Sequence, residues 1–303
     1  MNTKKLEIIL LIAQYRKVSA VADILGMKQP TVTFHMKSLE KQYGVKLFES
    51  RGGGMMLTEA GKALLHYAGK MTALANETER VLREYRKVER GTIVIGASYV
   101  PGTYMLPGMI SNFSFDYPGV SMKLLIKPAP VIQQLLLEHE IDLGFVSSQP
   151  FREDKLKTHF LCSDELVVVF SAEHRLARLT NIQAEDIAKE PFILHGTKST
   201  TRRMTEQWSE AHQLQLSSSM ELDSLESIKR ALMLGAGISF ISRQAVTEEV
   251  KHGLLAYAPL PAPYIERNIY AGYHRDRWLS QGLQAFIDRV LQADNDGFSG
   301  DCN

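Results

Sequence analysis

The feature that most restricts what this chain can become is a succession of three short helical patterns, parted by tight turns, between Lys5 and Tyr43. Leu6, Ile9, Leu10 and Ala13 recur at helical spacing and give a first helix, Lys5 to Tyr15, one apolar face. Ser19 is placed to cap a second helix, Ser19 to Leu25, with Ala20, Val21, Ile24 and Leu25 turned inward, and Gly26 supplies the positive φ that ends it. After the turn Gly26-Met27-Lys28, a third helix opens on Gln29 and Pro30, where the N–H that proline lacks would have had no partner, and continues to Tyr43. Val32, Met36 and Leu39 fall on its buried side, which leaves Thr31, Thr33, Phe34, His35 and Lys37 facing largely outward.

This is helix-turn-helix spacing. An α-helix fits the major groove, and side chains of its N-terminal half reach base edges there. Gln29 can pair bidentately with adenine, Thr31 and Thr33 can touch a thymine methyl or a phosphate, and His35 and Lys37 suit the backbone. The helix N-terminus around Pro30 attracts a phosphate in its own right. Ser19, Gln29, Pro30, Thr31, Thr33, Phe34, His35 and Lys37 are therefore the expected DNA contacts, although the same spacing also serves plain three-helix packing.

Leu47 to Thr58 reads as strand, glycine turn and strand, the shape of a wing, with Arg51 the expected wing contact. With the wing in place, the segment from Lys17 to Gly61 resembles the DNA-binding domain of the LysR-type transcriptional regulators, above all at Gln29-Pro30, Leu39-Glu40, Gly44, Leu47-Phe48 and Leu57-Thr58-x-Ala60-Gly61. The family commonly carries an arginine directly after Leu-Phe-x, where this chain has Ser50, with Arg51 one place later. Gly53 stands where the family has a second basic residue. Both departures thin the wing's positive charge.

Charge divides along the chain. Residues 1–90 carry 16 Lys and Arg against 9 Asp and Glu, whereas residues 91–303 carry 19 against 25. A basic head suits a polyanion, because neutralising phosphates releases condensed counterions. From Ala60 the series Leu64, Tyr67, Met71, Leu74, Thr78, Val81, Tyr85 and Val88 alternates steps of four and three, a heptad seam that calls for a partner helix. The resemblance implies a homodimer or homotetramer formed through this helix, residues 59–90, and hence a dyad-symmetric double-stranded operator. Packing of the seam onto the chain's own domains is the competing expectation.

Beyond Gly91, strands and helices alternate in a parallel α/β pattern that restarts at Leu166, which implies two similar units. Leu106-Pro107, Tyr117-Pro118-Gly119-Val120, Ile141-Asp142-Leu143-Gly144 and Gly235-Ala236-Gly237-Ile238 resemble landmarks of the same family's effector domain, with Ser242 where proline is common. The resemblance implies two lobes like those of a periplasmic solute-binding protein, residues 92–161 with 267–292 in one and 162–266 in the other. The expected organisation is thus a winged helix-turn-helix head at 1–58, a linker helix at 59–90 and an α/β effector domain at 91–303.

Ligands of open α/β sheets bind beyond the carboxyl ends of strands. Those ends nominate Ser98, Tyr99 and Val100, then Ala129, Pro130 and Val131, then Ser147 and Ser148, with His195, Thr197, Ser199, Thr200, Thr201, Asp223 and Ser224 from the second lobe. Hydroxyls and helix starts dominate, which suits a small anion or carboxylate, and Arg202 or Arg203 adds charge. No G-x-S-x-G elbow, Walker loop or G-x-G-x-x-G follows a strand, and the histidines lack metal-ligand spacing, so neither a catalytic site, a metal site nor a cofactor is expected. Two cysteines, Cys162 and Cys302, with no signal peptide and no apolar run of membrane-spanning length, fit reduced thiols in a cytoplasmic protein. The combined expectation is a regulator that senses a small effector. The alternative is an α/β solute-binding or enzymatic protein whose head serves only for assembly, and a sequence-indifferent architectural DNA protein is a third reading.

Overall fold

The computed structural model describes residues 3–86 and 91–296; Val88, Arg90 and Cys302 lie outside the described residues. The chain divides into two compact units, one essentially residues 1–88 and the other 89–303 apart from a short exchange at 138–140.

The first unit contains α1 (Thr3–Tyr15), α2 (Val18–Ile24), α3 (Gln29–Tyr43), the hairpin of β1 (Phe48–Arg51) and β2 (Gly54–Leu57), and α4 (Glu59–Arg86). On α1 the fully buried residues are Ile8, Ile9 and Ile12, with Leu6 nearly so, while Leu10 and Ala13 are half-buried. The buried stripe is broader than the expected one and displaced from it, because α1 packs against α2, α3 and α4 together. Each of these isoleucines contributes about 1.5–3 kcal/mol by leaving water. Ser19 does not cap α2. The helix starts at Val18 with Lys17 in the cap position and no side-chain cap, so Ser19 lies inside it and is exposed. Ile24, expected inside, is also exposed.

Two side chains knit the hairpin to the helices. Glu40 Oε1 accepts from the backbone N–H groups of Leu47 and Phe48 at 3.0 and 3.2 Å. Burial raises the Glu40 pKa, but those two donors and Lys46 outweigh it and hold the carboxyl below its usual range. Thr58 Oγ1 donates to the Lys46 carbonyl at 2.7 Å and accepts from the Gly61 N–H at 3.1 Å, which caps α4. Gly61 sits so close to the Leu47 carbonyl that a Cβ would lie 2.2 Å from its oxygen. Leu39-Glu40, Leu47-Phe48 and Thr58-x-x-Gly61 therefore form one joint.

The second unit opens with β3 (Thr92–Ala97), a π-helical turn at Pro101–Met105, α5 (Leu106–Asp116), β4 (Ser121–Ile126), α6 (Ala129–Leu137), β5 (Leu143–Ser148) and β6 (Leu156–Ser163). The chain then makes β7 (Leu166–Ser171), α7 (Ala184–Ala188), β8 (Pro191–His195), α8 (Thr200–Ala211), β9 (Ser217–Leu222), α9 (Leu225–Met233), β10 (Ser239–Ser242), α10 (Thr247–Lys251) and β11 (Leu255–Pro259). It returns with β12 (Asn268–His274) and α11 (Gln281–Asp296). In the first lobe the sheet order is β4-β3-β5-β12-β6, and β3 runs parallel to β4 and β5. β12 is antiparallel to both β5 and β6, an antiparallel addition to the expected parallel pattern. It arrives from the second lobe against the direction of its neighbours. Cys162 is buried near the end of β6, and β6 keeps its pairing through Ser163, past the expected lobe boundary.

In the second lobe β7 lies between β10 and β11, antiparallel to each, while β8 and β9 run parallel. A bridge between Phe192 and Ile238 joins the two strand sets. Gly237, at φ +145°, passes so near β8 that a Cβ would stand 2.1 Å from the Pro191 carbonyl oxygen, so the glycine-rich approach to β10 is a steric requirement. None of the described helices is long and apolar enough to cross a membrane.

Candidate DNA interface and ligand cavity

On α3, Gln29, Pro30, Thr31 and Lys37 are exposed, and Phe34 is 67% exposed although it is a large apolar ring. Lys28 occupies the cap position without a side-chain hydrogen bond, so the first amides of α3 have no side-chain acceptor of their own. Thr33 and His35, expected outside, are half-buried. Thr33 Oγ1 donates back to the Gln29 carbonyl at 3.1 Å, which spends its hydroxyl proton inside the helix. Arg51 is exposed beside the two-residue turn Gly52-Gly53, whose φ values of +61° and +76° only glycine adopts without strain. The unit thus presents a polar and apolar helix start with lysines beside it and a short wing bearing one arginine.

The heptad seam splits on α4. Leu64 and Met71 are half-buried against the head's apolar core. Tyr67, Leu74 and Thr78 are exposed, at 59% and 45% for the first two, and Leu82 is 58% exposed just beyond them. One edge of the seam therefore serves the head, and the other remains an unpartnered apolar strip in the single chain.

In the second unit a cavity of about 420 Å³ opens between the lobes. Ser98, Tyr99 and Val100 at the end of β3 and Ser147 in β5 line it from one side. His195, Thr197, Thr200, Thr201 and Asp223 line it from the other. Four nominated residues stay outside the lining. Pro130 and Val131 are exposed in the first turn of α6, because that helix already starts at Ala129 and the preceding Ile126 to Ala129 face the cavity instead. Ser224 caps α9, its Oγ accepting from the Ser227 N–H at 3.4 Å. Ser148 also stays out, its hydroxyl donating to the Gln149 carbonyl. Neither Arg202 nor Arg203 is in the lining, and Arg202 is engaged by Glu206 and Glu221.

Four polar lining residues were not foreseen: Lys127, Lys198, Ser242 and Arg267. Arg267 lies just before β12, and its Nε stands 2.9 Å from Asp164 Oδ2, both groups being almost wholly buried. Ser242 Oγ donates to the other Asp164 oxygen, and Arg267 donates to Thr201 Oγ1 at 3.3 Å. No local sequence signal marks this cluster, since its members come from four distant stretches. Asp164 thereby neutralises Arg267, which leaves Lys127 and Lys198 as the exposed cations of the wall and Asp223 as its acid.

Donors converge on the space. Ser98 Oγ accepts from the Ser147 N–H at 2.8 Å, so its own proton is available to a ligand. Ser147 Oγ is buried and has no hydrogen-bond partner within the protein, so its hydroxyl is open to a group in the cavity. The starts of α6 and α8 both border the cavity, and Ser199 caps α8 by accepting from the Thr201 N–H at 3.2 Å. His195 is buried. Burial pulls its pKa down to about 4, and Arg267 and Arg202 add to this against the Phe240 carbonyl that accepts its Nε2–H at 2.8 Å. The ring is therefore neutral near pH 7, with Nδ1 as an acceptor.

Residues 3–62 match the family model described as a bacterial regulatory helix-turn-helix protein of the lysR family, and residues 86–295 match that of the LysR substrate binding domain. A probable RuBisCO transcriptional regulator of Gracilaria tenuistipitata var. liui is 32% identical over 292 residues, covering 95% of this chain and 94% of that protein. One from Synechocystis is 33% identical over the same length, covering 95% and 85%. Among solved structures, CbnR, a LysR family transcriptional regulator, superposes with a TM-score of 0.71 at 19% identity over 98% of this chain and 100% of its own. The regulatory domain of Synechocystis CcmR, solved in complex with 2-PG, gives a TM-score of 0.63 at 26% identity over 68% of this chain and 98% of its own.

Proposed function

The chain belongs to the LysR family of DNA-binding transcriptional regulators, and from that premise we propose that its interlobe cavity binds a small organic anion whose occupancy alters how paired α3 helices engage an operator. In this reading residues 1–58 bind DNA, residues 59–90 pair two chains, and residues 91–303 sense the effector. The observation that carries it is the cavity wall: a buried, unpartnered Ser147 hydroxyl, a Ser98 hydroxyl with a free proton, two helix starts, and Lys127 and Lys198 at the rim. Each of these stabilises negative charge. Asp223 is placed to accept from a hydroxyl of the same ligand, which favours an oxygenated acid over a bare inorganic ion.

Effector binding shifts a population of lobe arrangements, and it does so only by its differential affinity for them. Pairing through the exposed strip of Tyr67, Leu74 and Leu82 converts a change in one chain into a change in the spacing of two recognition helices. The CcmR domain of Synechocystis was solved with 2-PG, which makes that anion the first to try.

Calorimetric titration of the full chain tests the reading. Binding of 2-PG, weakened about tenfold or more in Ser147→Ala and in Lys127→Ala, supports it. Saturable binding of uncharged polyols with none of 2-PG, inorganic phosphate or simple carboxylates would overturn the anion assignment.

A further inference from the structure

Tyr104 stands on the π-helical turn Pro101–Met105, which leaves β3 directly after the cavity-lining Ser98, Tyr99 and Val100. Its ring packs against the apolar core of the first lobe and also against that of the second. Its hydroxyl donates to Glu226 Oε1 at 2.9 Å and accepts from Lys229 Nζ at 3.3 Å, both on α9 of the second lobe. Lys229 is 4% exposed and is held within its own lobe by Glu249 Oε1 at 2.7 Å and the Ala245 carbonyl at 3.1 Å. Glu226 Oε1 lies 3.1 Å from the same ammonium. The lysine thus has anionic and carbonyl partners in its own lobe, and the tyrosine contact is an additional tie across the lobes.

The turn that carries Tyr104 is stiff. A Cβ on Gly102 would stand 2.9 Å from Ile126 Cγ1 and 3.1 Å from Ala97 Cβ, so the turn lies tightly against the ends of β3 and β4. The Tyr99 and Tyr104 rings are 6.5 Å apart, one facing the cavity and the other the clasp. The tight packing beneath the turn leaves little room between Tyr99 and Tyr104 to absorb a displacement of either ring. π-helical turns are frequent at functional positions, and here one carries Tyr104 directly after the cavity-lining Tyr99 and Val100.

We propose that Tyr104, clasped by Glu226 and Lys229, is a latch that sets the apposition of the two lobes and reports occupancy of the cavity through Tyr99. The latch is a property of the effector domain itself. Its link to occupancy rests on the effector reading above, whereas the test of the latch uses no ligand and so fails or succeeds separately.

Spin labels are placed on exposed sites in different lobes, Arg152→Cys and Lys189→Cys, in a Cys302→Ser background in which Cys162 stays buried. A second labelled pair, Lys189→Cys and Lys251→Cys, lies within one lobe and serves as the control. Double electron–electron resonance is recorded on the full chain, diluted with unlabelled protein to suppress signals between chains. Tyr104→Phe keeps the ring and removes the hydroxyl, so the core contacts survive. The expected result is a second, displaced interlobe distance population in Tyr104→Phe, with the ratio of populations moved about tenfold and the control pair unchanged. Glu226→Gln moves the interlobe distribution in the same direction. Identical interlobe distributions in the parent and in both variants overturn the latch, as does an equal change in the control pair.

Discussion

Gly196 and Asp223 touch where the second lobe borders the cavity: a Cβ built on Gly196 would lie 1.7 Å from Asp223 Oδ1. Both residues line the wall, and the absence of a side chain at 196 is what lets the carboxylate settle against the backbone there.

Gly196→Ala therefore displaces Asp223. The clash falls on the far end of an exposed side chain, which swings aside cheaply, so the urea midpoint moves by about 0.5 kcal/mol or less at unchanged slope. Anion binding in calorimetry falls all the same, as it does in Asp223→Ala, because both changes take the carboxylate out of its place in the wall.

His195 gives the fold a pH dependence with a definite sign. Its unfolded pKa is near the ordinary 6.5 and its folded pKa is about 4, lowered mainly by burial. Between those values the unfolded chain binds the proton and the fold does not, so stability is fully present above pH 6.5 and is lost as pH falls toward 4. The loss from this group is about 3 kcal/mol across the window. Urea unfolding at a series of pH values shows that component in the parent chain, and it is missing in His195→Gln, whose amide keeps a donor for the Phe240 carbonyl.

Asp164→Ala leaves the Arg267 guanidinium buried and unpaired, since both side chains are at most 5% exposed. A loss of about 3–5 kcal/mol is expected from calorimetric melting. Replacing both members, Asp164→Ala with Arg267→Met, costs less than the single change because no uncompensated charge remains.

On the DNA side, Gln29→Ala relaxes base choice at one position per half-site, whereas Lys37→Ala weakens every sequence and lowers the salt slope by about one. Quantitative gel shifts over a salt series separate them. Equal losses on all sequences for both variants contradict the roles assigned to the two side chains.

What the sequence reveals depends on the range of the interactions involved. The head was legible because its signals are local: Gly26 with φ +61°, Pro30 in the first turn of α3, and the Gly52-Gly53 hairpin each act within a few residues. Ser19 was misplaced by the same local reasoning, since packing of Val18 on the head's core starts α2 one residue earlier without any side-chain cap. In the effector domain the strand ends pointed to Ser98, Ser147 and Thr201, which do line the cavity. Pro130 and Val131, expected in the wall, fall outside it because β4 ends at Ile126 and α6 begins at Ala129, which turns residues 126–129 to the cavity instead. Arg267, Asp164 and Ser242 meet through chain crossings between the lobes, and Tyr104 reaches Lys229 across 125 positions. Contacts of that range leave no periodicity or spacing to read.

This chain is proposed to read DNA by sequence, and an anion in the interlobe cavity to change how it does so. The decisive experiment is footprinting of the DNA upstream of its own gene, with and without 2-PG. Two protected half-sites related by a dyad and about one helical turn apart, or a multiple of it, are expected, with a protection pattern that 2-PG alters in the parent chain and not in Ser147→Ala. Uniform protection of native and scrambled DNA, unchanged by 2-PG, would contradict it.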